Sequence, residues 1–119
     1  MPKVIVTRDP SVMDDDAARL LGADLPRIVA EALGCEEGPL IPTDVWVTFR
    51  DVGPLDVNAP PFAVEVIANE FPARRANLDR RADLIASELR EHPAIPAFVI
   101  DGKGGFVWVR IMLAEFELL

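Results

Sequence analysis

The sequence contains few of the residue types on which many enzyme sites depend. Its 119 residues include one cysteine, Cys35, one histidine, His92, and no tyrosine. A single cysteine excludes a disulfide within the chain and fits a reducing compartment, so we expect a cytoplasmic protein. We interpret Cys35 as a buried or helix-end residue rather than a nucleophile, because nothing in the sequence brings the histidine towards it.

Long apolar runs and an excess of positive charge are also missing. No run approaches the ~20 apolar residues of a membrane span, and the first dozen residues lack the pattern of a signal peptide, so no membrane association is expected. Twelve lysines and arginines stand against 20 acidic residues, which gives a net charge of −8. Nucleic-acid binding is disfavoured, because a phosphate backbone requires a basic face. The exception is a local cluster of arginines at 74–75 and 80–81, a candidate anion site.

Half of the residues are hydrophobic, which predicts one compact domain over residues 1–119 with apolar surface left for subunit contacts. Period-two alternation and β-branched residues predict strands over residues 3–8, 44–51, 62–69 and 106–113, the last extending to about residue 117. A short strand over 98–100 and a turn over 101–105 are also predicted.

Helical spacing of apolar residues predicts two helices. Because Gly22 and Pro26 interrupt the first pattern, we predict an irregular turn followed by a main helix capped by Asp24 and ending at Leu33. The second helix is predicted to begin at residue 75 or 77 and to stop at His92, which leaves Arg74 and Arg75 at its start.

A weak internal repeat relates the two halves of the chain. A Val-Ile pair at 4–5 recurs at 66–67, and a Val-Trp-Val triplet at 45–47 recurs at 107–109, both at an offset of 62 residues. The prediction is an α+β fold of two tandem βαβ units, about 2–55 and 61–117. They would form a four-stranded mixed sheet with both helices on one face, and subunit association would cover the other face.

The second residue suggests a function. Initiator methionine is removed when a small residue follows, so the mature chain is expected to begin with the secondary amine of Pro2. Burial in apolar surroundings lowers the pKa of an amine from its usual value near ~8, so this nitrogen could act as a general base at neutral pH. A rigid chain start without catalytic meaning is the alternative.

Three features together resemble the tautomerase superfamily, whose members carry an amino-terminal proline. They are the Pro2 amine, two βαβ halves of about 60 residues and an arginine, Arg74 or Arg75, before the second helix. The Ala-Asp-Leu-Pro segment at 23–26 and the arginine-bearing segment at 75–80 look like those of one family in particular. The chain looks most similar to the 5-carboxymethyl-2-hydroxymuconate isomerases and the macrophage migration inhibitory factors. It departs from related patterns at Phe71 and Trp46, which stand where other branches have arginine.

This resemblance implies a homotrimer that moves a proton within a small unsaturated oxo- or hydroxy-carboxylic acid, with no cofactor and no metal. Pro2 would be the base, and Arg74 or Arg75 would bind the carboxylate. Arg50 is a weaker candidate for the same role, and Arg110 is weaker still. Apolar walls for the Pro2 pocket are expected from three aromatic residues, Trp46, Phe71 and Trp108.

Other interpretations remain open. A decarboxylase, dehalogenase or hydratase of the same superfamily would keep Pro2 protonated and activate water with a carboxylate, for which Glu115 and Glu117 are candidates. A non-catalytic oligomeric module is the third possibility. In that case the candidate arginines would be surface or intersubunit residues, and the two tryptophans would belong to the core or to an interface.

Overall fold

The computed structural model describes residues 2–96 and 109–114. Within these residues, four strands and three helices follow one another. They are β1 (Lys3–Arg8), α1 (Asp15–Leu33), β2 (Trp46–Asp51), β3 (Phe62–Asn69), α2 (Pro72–Ala76), α3 (Leu78–Glu91) and β4 (Val109–Ala114), with a 3-10 turn at Pro42–Asp44 before β2. The predicted strand at 98–100, the turn at 101–105 and Trp108 lie outside the described residues.

The four strands form one mixed sheet in the order β2-β1-β3-β4. The outer pairs, β1 with β2 and β3 with β4, are parallel, and the central pair β1–β3 is antiparallel. Helix α1 lies between β1 and β2 in the chain, and α2 and α3 lie between β3 and β4. This is the arrangement of two βαβ units. The predicted α+β class and four-stranded mixed sheet are therefore confirmed.

Alternation along the strands separates a helix-covered face from an open face. Val4 and Val6 of β1 are fully buried, and their partners on neighbouring strands, such as Val66 and Phe49, join the same core beneath α1 and α3. On the other face, Trp46 retains 55% of its surface, and the Lys3 ammonium lies 4.5 Å from its ring centroid. In the part of the chain that the structure describes, no helix has the length and apolarity to cross a membrane.

The prediction of a broken first helix is wrong, since α1 is continuous from Asp15 to Leu33 and passes through Pro26. Its cap is Asp14, whose carboxylate accepts the N–H of Ala17 at 2.8 Å. A proline inside a helix has no N–H to donate, and its ring crowds the main-chain carbonyl four positions earlier, here that of Gly22. Burial of the apolar stripe of α1, which includes Leu21, Leu25 and Ile28, outweighs this cost.

Asp24, the predicted cap, has another partner. Its Oδ2 lies 2.7 Å from Nε2 of His92, and Nδ1 of His92 accepts the N–H of Ala94 at 3.1 Å. Since Nδ1 is an acceptor, Nε2 carries the hydrogen and donates it to Asp24. This pair fastens the middle of α1 to the segment that follows α3.

The second predicted helix is split in two. Arg74 and Arg75 lie within the short helix α2 rather than before a helix, and α3 begins at Leu78 after a break at Asn77. Helix α2 begins before the predicted start because Phe71 has an extended backbone and Pro72 occupies the first helical position.

The two repeated halves of the sequence correspond to the two halves of the sheet, but the β3–β4 pairing differs in register from the β1–β2 pairing. Val4 pairs with Val66, its own repeat equivalent, so the pseudo-twofold axis passes through the central strand pair. The offset of 62 would place Val109 beside Val66, but Val109 pairs with Val64. A shift of two residues keeps the same side chains on the same face, because strand periodicity is two.

Arg8, at the carboxyl end of β1, joins the sheet to α1. It donates from Nη2 to Asp15 at 2.6 Å and from Nε to Asp51 at 2.9 Å. The hydrogen bond and charge of Arg8 hold the pKa of Asp15 below its usual range. Ionised Asp15 therefore stabilises the fold above the ordinary aspartate pKa of ~3.9, and this contribution is lost as the pH falls through the lowered value.

We predict that Asp15→Asn destabilises the chain at neutral pH and that the difference from the native chain shrinks as the pH falls below about 4. Urea unfolding measured over a pH series tests this. Asp16→Asn is the matched control, since Asp16 lies in the same helical turn and pairs, among the described residues, with exposed Arg19 alone. A pH-independent difference for Asp15→Asn would contradict the assignment.

Candidate functional site

Pro2 lies in a cavity of about 270 Å³ at one edge of the sheet. At this edge β1 begins, β2 begins and β3 ends, and the α1–β2 loop closes over them. The order β2-β1-β3 therefore brings side chains that are far apart in the sequence to one place. The cavity is lined by Pro2, Gly38, Pro39, Leu40, Asp44, Asn69, Phe71 and Arg74.

Pro2 itself is buried and held in line with β1. The N–H of Trp46 donates to the carbonyl of Pro2 at 2.9 Å, which continues the β1–β2 pairing by one residue. Proline has a fixed φ, so the ring has little freedom once its carbonyl is bound.

Arg74 is the buried cation of the cavity, with only 2% of its surface exposed. Its guanidinium donates to three main-chain carbonyls: Nε to Leu33 at 2.8 Å, Nη1 to Asn69 at 2.9 Å and Nη2 to Gly38 at 2.9 Å. A guanidinium has five N–H donors, so two, one on each Nη, are without a partner among the described residues.

The environment of Arg74 is electrostatically unusual. Burial lowers the pKa of Arg74 from its usual value, and the nearby charge of Arg81 acts in the same direction. An arginine remains protonated at neutral pH despite such a shift. The cavity therefore contains a cation that water solvates poorly and that an anion would stabilise.

The loop that closes the cavity is fitted closely to this arginine. A Cβ atom added at Gly38 would lie 2.5 Å from the ring of Phe71 and 3.0 Å from Nη2 of Arg74. The guanidinium carbon of Arg74 lies 4.9 Å from the centroid of the same ring. Phe71 thus forms an apolar wall of the cavity, and only glycine fits at position 38.

The other predicted site residues lie elsewhere in the single chain. Arg75 is exposed and paired with Glu70, and both line a separate cavity of about 450 Å³. Trp46 lies on the open face of the sheet. Arg50 is exposed on β2, four residues after Trp46. At the rise of a strand this places it roughly 13 Å from Trp46 along β2. Trp108 lies outside the described residues, and the side chain of Arg110 is not described.

Two polar residues of the cavity, Asp44 and Asn69, were missed in the sequence. Asp44 ends the 3-10 turn, and its Oδ2 accepts the N–H of Ile41 at 2.9 Å. Asn69 is the last residue of β3, and its Oδ1 is buried without a hydrogen-bond partner in the described part of the chain. Polar residues at strand ends were the available signal, but only the strand order shows that these two ends flank Pro2.

Arg74→Met is predicted to lower the free energy of unfolding by about 3 kcal/mol or more, because it leaves three carbonyl groups without their donor in a buried place. Arg75→Met, at an exposed ion pair, should change it by less than about 1 kcal/mol. Urea unfolding of both variants measures the contrast. Equal losses would contradict the structural role of Arg74.

Comparison with solved structures identifies the fold. MIF2 of Leishmania major is 19% identical, with a TM-score of 0.57 over 100% of this chain and 93% of that protein. Fused 4-OT in an asymmetric trimer is 10% identical, with a TM-score of 0.65 over 98% and 91%. FG41 malonate semialdehyde decarboxylase, inhibited by 3-bromopropiolate, is 13% identical, with a TM-score of 0.57 over 97% and 83%.

No protein-family model matches the chain, and no curated protein matches its sequence. The likeness to the solved structures therefore concerns the fold. The sheet order, the two parallel outer pairs and the helices on one face agree with the fold implied by the sequence resemblance. The chain has the fold of macrophage migration inhibitory factors and of fused 4-OT, and this is the fold that the sequence resemblance implies.

Proposed function

We propose that the protein is a cofactor-independent tautomerase that moves a proton within a small unsaturated oxo- or hydroxy-carboxylic acid. Pro2 is the general base and Arg74 binds the substrate carboxylate. The observation that carries this proposal is the cavity of about 270 Å³ that Pro2 and Arg74 line together. Its size fits a small acid, and it lies next to a buried cation with two remaining donors.

The reaction requires only a proton carrier and a stabilising charge. The amine of Pro2 takes the hydroxyl proton of an enol, or a proton from one carbon, while the electron pair moves through the double bond. The same proton is then returned to another carbon, so the substrate keeps all its atoms and its oxidation state. Negative charge that develops on the substrate oxygen is stabilised by the guanidinium.

The choice of Arg74 over Arg75 rests on their positions. Arg74 lines the same cavity as Pro2, whereas Arg75 lines another and is paired with Glu70. A carboxylate bound by the free N–H groups of Arg74 would replace lost solvation and make charge-assisted hydrogen bonds. Phe71 supplies the apolar wall that favours a neutral amine.

Asp44 favours a second candidate function. It lines the cavity with Pro2, and a nearby carboxylate raises the pKa of an amine. A protonated Pro2 would act as an acid, while Asp44 activates water in a hydration or faces the carboxyl group that leaves as CO₂ in a decarboxylation. A solved neighbour of this fold is a malonate semialdehyde decarboxylase.

We also propose a homotrimer in the cytoplasm. Support comes from the open face of the sheet, which carries the exposed Trp46 and the partly exposed Ile5, Ile67 and Met112. Fused 4-OT proteins of the same fold form trimers. The alternative is a non-catalytic oligomeric module. In that case the protein would assemble through this face but would turn over no substrate.

The Pro2→Ala variant tests the catalytic proposal. We expect kcat/KM for ketonisation of a small enol acid, such as the enol of phenylpyruvate or a 2-hydroxydienoate, to fall about 100-fold or more. In the native enzyme kcat/KM should rise with pH through an apparent pKa below the ~8 of a free α-amine, since the neutral amine is active. Steady-state rates over pH 4–9 measure both.

Pro10→Ala, at an exposed turn, is the control and should keep native activity. Mass spectrometry of the purified chain must show loss of Met1. A rate that falls as the amine loses its proton would favour the acid mechanism with Asp44. If the native protein shows no turnover and the Pro2→Ala variant behaves in the same way, the enzymatic proposal is wrong.

Assembly gives a separate prediction. Trp46→Glu should weaken self-association at least about tenfold, because it replaces a large apolar side chain of the proposed interface with a charged one. Leu55→Glu, in an exposed loop where Leu55 retains 93% of its surface, should not. Sedimentation velocity compares the two variants with the native chain. A native monomer at micromolar concentration would refute the trimer.

A further inference from the structure

We infer that Asn69 is a positioning residue for Pro2. Its side-chain carbonyl accepts a hydrogen bond from the amine that removal of Met1 creates, and this contact directs the nitrogen lone pair into the cavity. The inference rests on the proposed function for its catalytic meaning, but the contact itself can be tested without any substrate.

The strand pairing places Asn69 next to the nitrogen. Lys3 pairs with Ile67 in the antiparallel β1–β3 ladder. One further step along both strands sets Pro2 opposite Ala68, and Asn69 lies just beyond, at the edge where the chain start emerges. Pro2 and Asn69 also line the same cavity. Because β1 lies between β2 and β3, the nitrogen is flanked by Asp44 on one side and Asn69 on the other.

Asp44 and Asn69 differ in whether their side-chain oxygens already accept a hydrogen bond. Asp44 already accepts the N–H of Ile41, and it completes the 3-10 turn. Oδ1 of Asn69 is buried without a partner among the described residues, and a buried acceptor that stays unpaired is unfavourable. The main-chain carbonyl of Asn69 is bound to Arg74, so the residue is fixed in place.

Processing of the chain start supplies the missing donor. A proline inside a chain has no N–H, so an unprocessed Pro2 has no hydrogen to give. After Met1 is removed, the neutral amine has one N–H and one lone pair. Donation of the N–H to Oδ1 of Asn69 leaves the lone pair as the only reactive direction, which is what a general base requires.

This contact also affects the proton affinity of Pro2. An acceptor stabilises the charged amine more than the neutral one, so Asn69 raises the pKa of Pro2 relative to an apolar residue. The charged groups that line the cavity, among the described residues, are Asp44 before β2 and Arg74 in α2, and the α1–β2 loop adds only uncharged Gly38, Pro39 and Leu40. These groups are unchanged in every variant below.

The test is an NMR titration of the full chain labelled with [15N]proline and [13C]asparagine. Pro2 has the one proline nitrogen among 11 that can gain and lose a proton, and the chain has three asparagines. We expect the side-chain carbonyl carbon of Asn69 to shift with the same midpoint as the Pro2 nitrogen. The signals of Asn58 and Asn77 are internal controls and should not follow that midpoint.

Two variants assign the effect. Asn69→Leu removes the acceptor and should lower the Pro2 midpoint by about half a unit, whereas Asn69→Asp keeps an acceptor, adds charge and should raise it by about one unit or more. If Asn69→Leu does not fold, the titrations of the native chain and of Asn69→Asp still test whether Asn69 accepts a hydrogen bond from the Pro2 amine. In turnover assays, Asn69→Leu should lower kcat more than it changes KM.

An Asn69 signal that stays flat while Pro2 titrates would overturn the inference, as would shifts of the same sign in both variants. Failure of the proposed function looks different, because native chain without turnover could still show coupled titration of Pro2 and Asn69. Retention of Met1 would leave no titrating proline nitrogen and would refute both.

Discussion

The buried guanidinium of Arg74 is the interaction on which the rest of the structure depends. Its three carbonyl acceptors belong to the end of α1, the α1–β2 loop and the end of β3. The last carbonyls of a helix carry partial negative charge, and α1 has no basic residue in its own last turn. Arg74 and Arg81, which donates to Ala32 and Gly34, supply this positive charge from another part of the chain. The same bonds that complete the helix therefore shape the cavity.

Stability and chemistry compete at this arginine. Each carbonyl that it binds fixes the guanidinium and reduces the donors left for a ligand, yet two N–H groups have no partner among the described residues. Opposing effects also meet at Pro2. In the proposed processed chain, apolar Phe71 and cationic Arg74 favour a neutral Pro2 amine, whereas the carboxylate of Asp44 favours a charged one. In the two proposed mechanisms, this balance decides whether Pro2 is a base or an acid, with no change of fold.

Local patterns in the sequence predicted the strands well, because alternation reflects a sheet with one covered face. They were wrong about α1, since a proline-based break ignores the burial of a long apolar stripe, which outweighs the cost of Pro26. Arg74 and Arg75 looked equivalent in the sequence, because adjacent residues in a short helix differ only in the direction they face. The local signal for Asp44 and Asn69 was only their position next to strand ends. Their proximity to Pro2 depends on the strand order, which only the assembled sheet determines.

Among the described residues, the pseudo-symmetry of the fold does not extend to the side chains of the Pro2 cavity. At the repeat offset of 62 residues, the equivalent of Pro2 is Val64, which is buried in the middle of the chain and has no amine. The equivalent of Arg74 is Val12, which packs against the core. One half therefore provides Pro2 and the other provides Arg74. Because the antiparallel pairing of β1 with β3 brings the start of one strand to the end of the other, the two contributions meet at a single edge of the sheet.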